Sequence, residues 1–330
     1  MSDFDIVLIG CGAFARRYHV PALLADGEAR IVAIVDPFPA PEVRALAATT
    51  GAPIAARIDE LPDRGAPTAA LVTTPHALHA AHVGEALARG WHVLCDKPFV
   101  LHLAEARALV AQAAARKLVN AVAFNRRLDR GCLRAREIIR AGGIGAIAFV
   151  ETVQLGYVSD GWFTDPALSG GGPFTGRGTH MADFVPWLVA RAPRRLRARL
   201  RGGSPARIDE GGTIDLDFGG FEGRLTCVVE GWHMWDEVRV FGDAGLIELR
   251  RPLGNAIGWE LRWHAKPGER GEALAAEENF GAATRDFLAA LRGGAAPACG
   301  FADALISVAI IEEAFLSGRG DGGWRAVPAP

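Results

Sequence analysis

The stretch DFDIVLIGCGAFARRYHVPALLA (residues 3–25) joins a short apolar strand to a helical pattern through two glycines. Gly10 permits a tight turn at the end of the strand, and Gly12 leaves room for a pyrophosphate group. Ala15 takes the third position of a GxGxxA pattern and allows close packing of helix on strand. The N–H groups at the helix start favour an anion there. The stretch therefore predicts a dinucleotide-binding turn, with a tight turn that holds no ligand as the alternative.

An aspartate ends the next strand, in the segment ARIVAIVDPF (residues 29–38). A carboxylate at this position, Asp36, can accept both hydroxyls of an adenosine ribose and would repel a 2′-phosphate. The segment that follows, PFPAPE (residues 37–42), holds no arginine to neutralise such a phosphate. The pattern favours NAD over NADP, although Asp36 could also be a plain turn residue at a strand end.

Strand and helix patterns alternate over the first part of the chain, as in βαβ units with a parallel sheet. Beyond residue 124 the pattern changes to one helix (130–142), a series of strands between about 145 and 250, and helices at about 277–292 and 302–317. We predict an α/β protein with a dinucleotide-binding domain at 1–123. The second domain, 124–330, would be α+β with a large, open, mostly antiparallel sheet, for substrate binding and oligomerisation. Its last helix is expected to pack back on the first domain.

Composition excludes several classes of function. The chain has 330 residues and a formal net charge of −2, which gives no general attraction to nucleic acid or to an anionic membrane. No apolar run approaches the length of a membrane span, and the acidic start does not resemble a signal peptide. We expect a cytoplasmic protein. The five cysteines are far apart and form no ligand cluster, so buried thiols are expected and no metal site is predicted.

Several stretches resemble the Gfo/Idh/MocA family, named for glucose–fructose oxidoreductase and inositol dehydrogenase. They are IGCGAFARRYHVPAL (9–23), TTPHALHAAHVGEALARGWHVLCDKPFV (73–100), FNRRLD (124–129), GWFTDPALSGGGP (161–173) and the C-terminal helix segment. Where the family usually reads Glu-Lys-Pro, this chain reads Asp96-Lys97-Pro98. The resemblance implies a Rossmann-type first domain that binds NAD(P). It also implies a second domain whose sheet often forms an oligomer interface, so a homodimer or homotetramer is expected.

The resemblance also implies hydride transfer between a nicotinamide and a secondary hydroxyl or ketone of a sugar, sugar derivative or cyclitol. Lys97 aligns with the lysine that donates or accepts the proton of the reacting group, and His180 aligns with a histidine that assists from the second domain. The substrate is expected between the two domains. The residues expected to contact the cofactor are Gly10, Gly12, Ala13, Phe14, Asp36, Thr74, Pro75, His79, Asp96 and Lys97.

The segment GGGPFTGRGTHMADF (170–184) departs from the family at Gly176, where many relatives have an aspartate four residues before the histidine. Three readings compete. Catalysis could persist with Lys97 and His180, with Asp183 orienting the imidazole. Arg177 or another residue could contact the substrate, which would then be a keto sugar or an acidic sugar. Alternatively, the protein is a non-catalytic sensor that binds NAD and a ligand. The glycine triplet is expected to let the loop approach sugar and nicotinamide closely.

Other polar or aromatic side chains are candidates for the substrate site. Arg126 could anchor a hydroxyl or carboxylate, or serve only as a structural ion-pair partner. Trp162 could stack on a sugar ring or fill a packing gap. The residues expected to contact the substrate are Lys97, Asn125, Arg126, Trp162, Arg177 and His180.

A run of arginines, RRLRARLRG (194–202), predicts a strand with arginines on one face. With no interleaved aromatic residues, a solvated sheet face or a subunit interface with acidic partners is favoured over a phosphate site.

Overall fold

The computed structural model describes residues 4–62, 68–156, 161–204, 206–229, 234–251, 258–266, 271–277, 279 and 281–329. The chain divides into two compact units. The first contains residues 1–100, 104–123 and 280–304, and the second contains residues 101–103, 124–279 and 305–330. The domain boundary between residues 123 and 124 stays a prediction. In addition, residues 280–304 pack with the first unit, whereas the sequence assigned them to the second domain.

The strands of the described chain are β1 (Phe4–Ile9), β2 (Ala29–Val35), β3 (Ile54–Ala55), β4 (Thr68–Val72), β5 (His92–Cys95), β6 (Asn120–Val122), β7 (Ile147–Leu155), β8 (Arg195–Ser204), β9 (Arg207–Asp217), β10 (Glu222–Val228), β11 (Trp235–Gly242), β12 (Gly245–Arg251), β13 (Glu260–Ala265), β14 (Glu272–Leu274) and β15 (Arg325–Ala326). The helices are α1 (Val20–Leu24), α2 (Pro41–Thr50), α3 (His79–Ala88), α4 (Leu103–Ala115), α5 (Arg130–Arg140), α6 (Pro166–Ser169), α7 (Thr179–Val189), α8 (Ala282–Leu291) and α9 (Phe301–Arg319). Two π-helical segments, Ala15–His19 and Phe174–Gly178, lead into α1 and α7. Residues 230, 278 and 280, which the sequence placed in a strand and a helix, lie outside the described residues.

The first unit is built on a parallel sheet, as the sequence predicted. Within the described residues it has six strands in the order β3–β2–β1–β4–β5–β6, and every neighbouring pair is parallel. All six residues of β1 are buried, as expected for an apolar run in the middle of a parallel sheet covered on both faces. From β1 the chain adds β2 and β3 on one side of the sheet, and then β4, β5 and β6 on the other. A reversal of strand order like this one, between β1 and β4, opens a crevice at the carboxyl ends of the strands.

The second unit contains the large, mostly antiparallel sheet that the sequence predicted. Its strands, as far as the described residues show them, follow the order β14–β13–β12–β11–β7–β10–β9–β8–β15. β7 and β10 pair in parallel, and the other neighbouring pairs are antiparallel.

The core of the second unit forms where one sheet face meets the helices. Val150 of β7, Val238 of β11, Phe184 of α7 and Ile310 of α9 belong to one cluster of fully buried apolar side chains. Burying a side chain of this size contributes about 1.5–3 kcal/mol each. This contact holds α7, and with it His180, against the sheet.

Cysteine burial, helix length and possible metal ligands are the features of the structure that bear on the expectations from composition. All five cysteines are buried thiols, as predicted. None of the helices in the described part of the chain combines the length and apolar character needed to cross a bilayer. Among the same residues, no group of three or more histidine, cysteine or acidic side chains is arranged to hold a metal ion.

Candidate functional site

The turn after β1 needs a glycine at its first position. Gly10 has φ of +78°, and an added Cβ would lie 2.8 Å from Thr74 Cγ2 and 3.0 Å from the Thr73 carbonyl. The Thr73 hydroxyl donates to the Gly10 carbonyl at 2.7 Å. The turn after β1 is therefore joined tightly to the loop after β4, and a side chain at position 10 would separate them.

The second glycine faces open space. A Cβ added at Gly12 would meet nothing within 4 Å. The helical segment starts just beyond, where the Arg16 N–H donates to the Gly12 carbonyl at 3.1 Å. The first N–H groups of any helix, here those around Ala13 and Phe14, lack intrahelical acceptors, and the helix dipole favours an anion beside them. This geometry fits a pyrophosphate.

Asp36 follows β2 directly and is held by two backbone amides. The Cys11 N–H donates to one carboxylate oxygen at 3.3 Å, and the Phe38 N–H donates to the other at 3.0 Å. The carboxylate is thus oriented at the carboxyl end of β2, beside the glycine turn. An acid so placed can receive ribose hydroxyls.

Phe38 is a candidate that the sequence reasoning missed. Its side chain is 90% exposed, the largest exposed fraction among the exposed large hydrophobic residues described. It lies two residues beyond Asp36, and its backbone N–H anchors the Asp36 carboxylate. An aromatic ring beside this oriented acid offers a stacking surface for a base, and the Phe-Pro pair at 38–39 was the available signal.

His79 joins two of the loops at the carboxyl edge of the sheet. Its Nδ1 lies 2.7 Å from the Pro98 carbonyl oxygen and its Nε2 2.9 Å from the Thr74 carbonyl oxygen. The ring is 1% exposed, and burial lowers its pKa although both carbonyls act in the opposite direction. His79 therefore fixes the backbone around Thr74, Pro75 and Pro98 and does not itself project into solvent.

Asp96 and Lys97 follow β5, and the Lys97–Pro98 peptide bond is cis. Asp96 Oδ1 is buried and has no hydrogen-bond partner in the described part of the chain. A buried acceptor without a donor costs free energy, and a ribose hydroxyl bound here would relieve it. Lys97 Nζ lies 5.9 Å from the centre of the Phe14 ring, which joins the loops after β5 and β1.

The predicted cofactor residues thus collect at one edge of the first unit. β2, β1, β4 and β5 are consecutive in the sheet and parallel, so their carboxyl ends lie together. The open backbone at Gly12, the oriented Asp36 and the unmatched oxygen of Asp96 are all features that a bound dinucleotide would complete.

His19, which the sequence left without a role, is buried near this edge. Its Nδ1 lies 2.8 Å from the Thr284 hydroxyl of α8, and its ring centre is 5.7 Å from that of Phe14. Burial lowers its pKa, with the charge of Asp96 opposing. The contact with Thr284 is one reason why residues 280–304 belong to the first unit.

In the second unit, the glycine triplet serves close packing within the protein. A Cβ at Gly171 would lie 2.7 Å from the Phe315 ring, and one at Gly172 would lie 2.8 Å from both the backbone nitrogen and a carboxylate oxygen of Asp209. The loop is therefore pressed against its own unit. The expectation that the glycines also let the loop approach sugar and nicotinamide stays a prediction.

A helical stretch begins at Phe174, and its first segment is π-helical. The i→i+5 bonding of Phe174–Gly178 departs from the regular register. Residues 176, 180 and 183 would share one face of a regular α-helix, and the π-helical turn breaks that relationship.

His180 lies on α7 against the turn that opens the second unit. Its ring centre is 6.2 Å from that of Phe124 in an edge-on arrangement. Three residues on, both oxygens of Asp183 accept from Arg127, at 3.0 and 2.6 Å, and this pair is buried. The role of Asp183 in orienting His180 stays a prediction.

Two of the predicted substrate residues, Arg126 and Arg177, share one acidic partner. Their Nη2 atoms lie 3.5 and 3.3 Å from the Asp236 carboxylate. Asn125 is half-buried in the same turn as Arg126 (Asn125–Leu128). Trp162 lies in a separate segment, Gly161–Thr164, stacked on Phe163 with ring centres 3.8 Å apart.

The arginine run forms β8, where Arg195, Arg197, Arg199 and Arg201 alternate with less exposed residues. Arg195 pairs with Asp217 at 2.7 Å and Arg197 with Asp215 at 3.1 Å, both on the neighbouring β9. This solvent-facing, acid-paired arrangement fits the sheet-face interpretation and gives no support to a phosphate site.

Comparison with known proteins agrees with this geometry. Residues 4–124 match the family model described as "Oxidoreductase family, NAD-binding Rossmann fold", and residues 132–248 match the GFO/IDH/MocA C-terminal domain. The rhizopine catabolism protein MocA of Rhizobium meliloti is 26% identical over 331 residues, covering 95% of each chain. D-glucoside 3-dehydrogenase of Escherichia coli is 29% identical over 198 residues, covering 57% of this chain and 54% of that protein. Levoglucosan dehydrogenase, solved with NADH and levoglucosan, superposes with a TM-score of 0.85 at 21% identity, covering 99% of this chain and all of the other.

A parallel sheet that carries a glycine turn and an acid at its carboxyl edge is the architecture of a dinucleotide-binding domain. The chain belongs to the Gfo/Idh/MocA family of oxidoreductases, and its first domain is an NAD-binding Rossmann domain. It is an NAD-binding oxidoreductase.

Proposed function

We propose that the protein transfers hydride between NAD(H) and a secondary hydroxyl or ketone of a sugar, a sugar derivative or a cyclitol. The observation that carries this proposal is the position of Lys97. It follows β5 directly after Asp96, whose buried oxygen has no partner among the described residues, and its Nζ lies 5.9 Å from the centre of the Phe14 ring in the glycine turn. Sugar dehydrogenases among the relatives support the substrate class.

The chain's own residues supply binding and proton transfer, while NAD(H), when bound, supplies or accepts the hydride. The amides after Gly12 hold the pyrophosphate, Asp36 receives the adenosine ribose and Asp96 the nicotinamide ribose. In oxidation, neutral Lys97 takes the hydroxyl proton as the carbon loses its hydride. In reduction, charged Lys97 returns a proton to the new alkoxide. His180 assists by hydrogen bonding to the same oxygen.

The remaining site assignments belong to the same proposal. Gly10, Ala13, Phe14, Thr74, Pro75 and His79 shape the cofactor site. Asn125, Arg126, Trp162 and Arg177 contact the substrate from the second unit. We also propose that the protein works in the cytoplasm. We further propose that it is a homodimer or homotetramer assembled through the second unit's sheet, and light scattering of the purified protein would test this oligomeric state.

Replacing Lys97 by Met tests the chemistry directly. Loss of a positioned general acid–base typically costs 10²–10⁴-fold in rate, so turnover of NADH with a panel of keto sugars should fall by that factor. NADH binding, followed by nicotinamide fluorescence, should remain. Lys266→Met is the matched control, because Lys266 is exposed beyond β13 in the second unit.

Unchanged turnover in Lys97→Met would remove Lys97 from the mechanism. A wild-type protein that binds NADH but turns over no member of the panel would contradict the proposed substrate class. His180→Asn should lower kcat by a smaller factor than Lys97→Met while leaving NADH binding intact, because His180 assists and is not the principal proton carrier.

A further inference from the structure

The covered face of the second unit's sheet changes from apolar to charged at one end. Along β7, the alternate residues Val150, Thr152 and Gln154 are each at most 1% exposed. The strand register places Gln154 opposite Asp236, and Asp236 opposite Arg251. Directly opposite residues share a sheet face, so a polar row lies across β7, β11 and β12 on the face that elsewhere forms the apolar core.

Three guanidinium groups lie around the Asp236 carboxylate. Its Oδ1 lies 3.3 Å from Arg177 Nη2, and its Oδ2 lies 3.3 Å from Arg251 Nη1 and 3.5 Å from Arg126 Nη2. Gln154 Nε2 donates to Oδ1 at 3.0 Å. Within the described residues, the ion pairs of this cluster join one carboxylate to three guanidinium groups. Asp236 is 1% exposed and Arg126 is 7% exposed, and burying an unbalanced charge is costly.

The electrostatics of the cluster reflect this excess. Burial lowers the pKa of Arg126 to about 10; Asp236 opposes that shift, while Arg251 and Arg177 add to it by repulsion. Burial alone would raise the pKa of Asp236, but the three arginines outweigh it and leave that pKa lowered. Asp236 therefore stays ionised.

The cluster also has polar atoms that are not used. Within the described residues, Arg126 Nη1 and Arg177 Nε are buried donors with no hydrogen-bond partner, and Gln154 Oε1 and Thr152 Oγ1 are likewise unmatched. Each such buried group costs about 1–3 kcal/mol. An anion that accepts from the guanidinium groups would satisfy these donors and balance the charge. A network that served only to hold the helix against the sheet would need neither unmatched donors nor charge left for an anion to balance.

The cluster adjoins the proposed helper histidine. Arg177 precedes His180 by three residues in the same helical stretch. The turn that carries Arg126 starts directly after Phe124, whose ring contacts that of His180. Arg127 of this turn binds Asp183 of α7. The same two segments therefore build both the charged cluster and the position of His180.

We propose that Arg126, Arg177 and Arg251 form a subsite for an anionic group of the substrate, so that the protein acts on a sugar that bears a carboxylate or a phosphate. The reaction part of this statement rests on the function proposed above, whereas binding by the cluster can be measured without turnover. Guanidinium groups suit both anions, because they present paired N–H donors to two oxygens.

Calorimetric titration of the NAD-loaded protein with matched sugars tests the subsite. The probes are D-glucuronate, D-glucose 6-phosphate and D-glucose, and the corresponding galactose set. The wild type should bind one class of anionic sugar at least tenfold more tightly than the neutral parent, and whether uronates or phosphates are preferred identifies the anion. NADH formation is recorded in parallel for each sugar.

Arg177→Met should reduce the preference for the anionic sugar by tenfold or more, and Arg177→Lys should keep part of it. Arg250→Met is the control, since Arg250 neighbours Arg251 on β12 but pairs with Glu260. That variant should keep the full preference. Melting temperatures of all three variants identify any that fail to fold, and the lysine variant then carries the test.

The outcomes separate this proposal from the proposed function. Turnover of neutral sugars with no preference for the anionic ones overturns the subsite and leaves the proposed function intact. Arg177-dependent binding of anionic sugars without turnover supports the subsite and counts against the proposed function. Absence of both binding and turnover across the panel overturns both. An anion preference that is unchanged in Arg177→Met also overturns the subsite.

Discussion

The imidazole Nδ1 of His79 lies 2.7 Å from the carbonyl oxygen of Pro98, one residue beyond Lys97. Its other ring nitrogen lies 2.9 Å from the carbonyl of Thr74. A buried ring thus couples the loop that carries Lys97 to the loop that packs on the glycine turn. We therefore regard His79 as a positioning residue for Lys97.

Replacing His79 by Ala should lower both stability and kcat. Removing a buried ring, together with the hydrogen bond that its N–H donates to a backbone carbonyl, should cost about 2–4 kcal/mol of unfolding free energy. Measured well below the melting temperature, kcat should fall more than the affinity for NADH. His92→Ala is the control: His92 Nδ1 accepts from Val119 N–H at 2.9 Å at the opposite end of β5. It should lose stability but keep kcat. Equal losses of kcat in both variants would assign His79 a purely structural role.

Replacing Asp36 by Ser should shift the cofactor preference toward NADP. The Cys11 and Phe38 amides orient this carboxylate. Its removal takes away both the hydrogen bonds to the ribose and the repulsion of a 2′-phosphate. We expect NADH affinity to fall about tenfold or more and NADPH affinity to rise, because a hydrogen bond to a charged group contributes about 1.5–3 kcal/mol. Fluorescence titrations with both cofactors measure the ratio. Asp59→Ser, at an exposed acid of the same unit, should leave it unchanged.

Replacing Phe38 by Ala should weaken binding of the adenine half of the cofactor. The ring is 90% exposed, so its removal should hardly change stability, whereas lost stacking on a base costs about 1–3 kcal/mol. Affinities for NADH and AMP should therefore fall about 5–100-fold, and affinity for nicotinamide mononucleotide should not. Leu24→Ala, at another exposed apolar residue of this unit, is the control. If Phe38→Ala binds AMP as tightly as the wild type does, the ring has no part in the adenine site.

Replacing Asp209 by Asn should stabilise the protein at high pH. Burial raises the pKa of Asp209 to about 6, well above the usual range of an aspartate, so the folded state takes up a proton at a higher pH than the unfolded state does. Above pH 6 the carboxylate is ionised in both states, and the folded state bears a desolvation cost of roughly 3 kcal/mol. As pH falls from about 6 to about 4, wild-type stability gains from this group.

Asparagine can still accept from Phe174 N–H and Gly211 N–H, as Asp209 Oδ1 does at 3.3 and 3.0 Å. Asp209→Asn should accordingly raise the melting temperature at pH 8 and lose this advantage near pH 4. Comparing the two proteins at each pH cancels the contribution of the buried histidines. A melting difference that does not change with pH would contradict the assigned titration.

The first unit was the more predictable half because its signals are local. The alternation of apolar strands and helices, the glycine turn and Asp36 all lie in contiguous segments, and the parallel sheet follows from them. The sequence missed α2, since PFPAPE resembles a loop. Pro41 in fact opens that helix, where its missing N–H has no cost, and Gly51 ends it in the left-handed region. It also missed β13, β14 and β15, which are edge-side strands defined by distant partners.

The site of the second unit was less predictable. Arg126 and Arg177 were identified as candidates, but their shared partner Asp236 was not, because it lies in a segment with no motif. The packing of Gly172 on Asp209 could not be predicted from the sequence either, since it joins residues 37 positions apart.

The sequence by itself determined the fold class, the NAD-binding domain and the family, because turn geometry, strand periodicity and the placement of Lys97 after a strand are encoded within short segments. Only the tertiary structure decided which side chains surround Asp236, what the glycine triplet packs against, and that residues 280–304 join the first unit. Those features depend on strand register and helix packing between remote segments, where the free energy of a charge or a cavity is set by neighbours that no local pattern specifies.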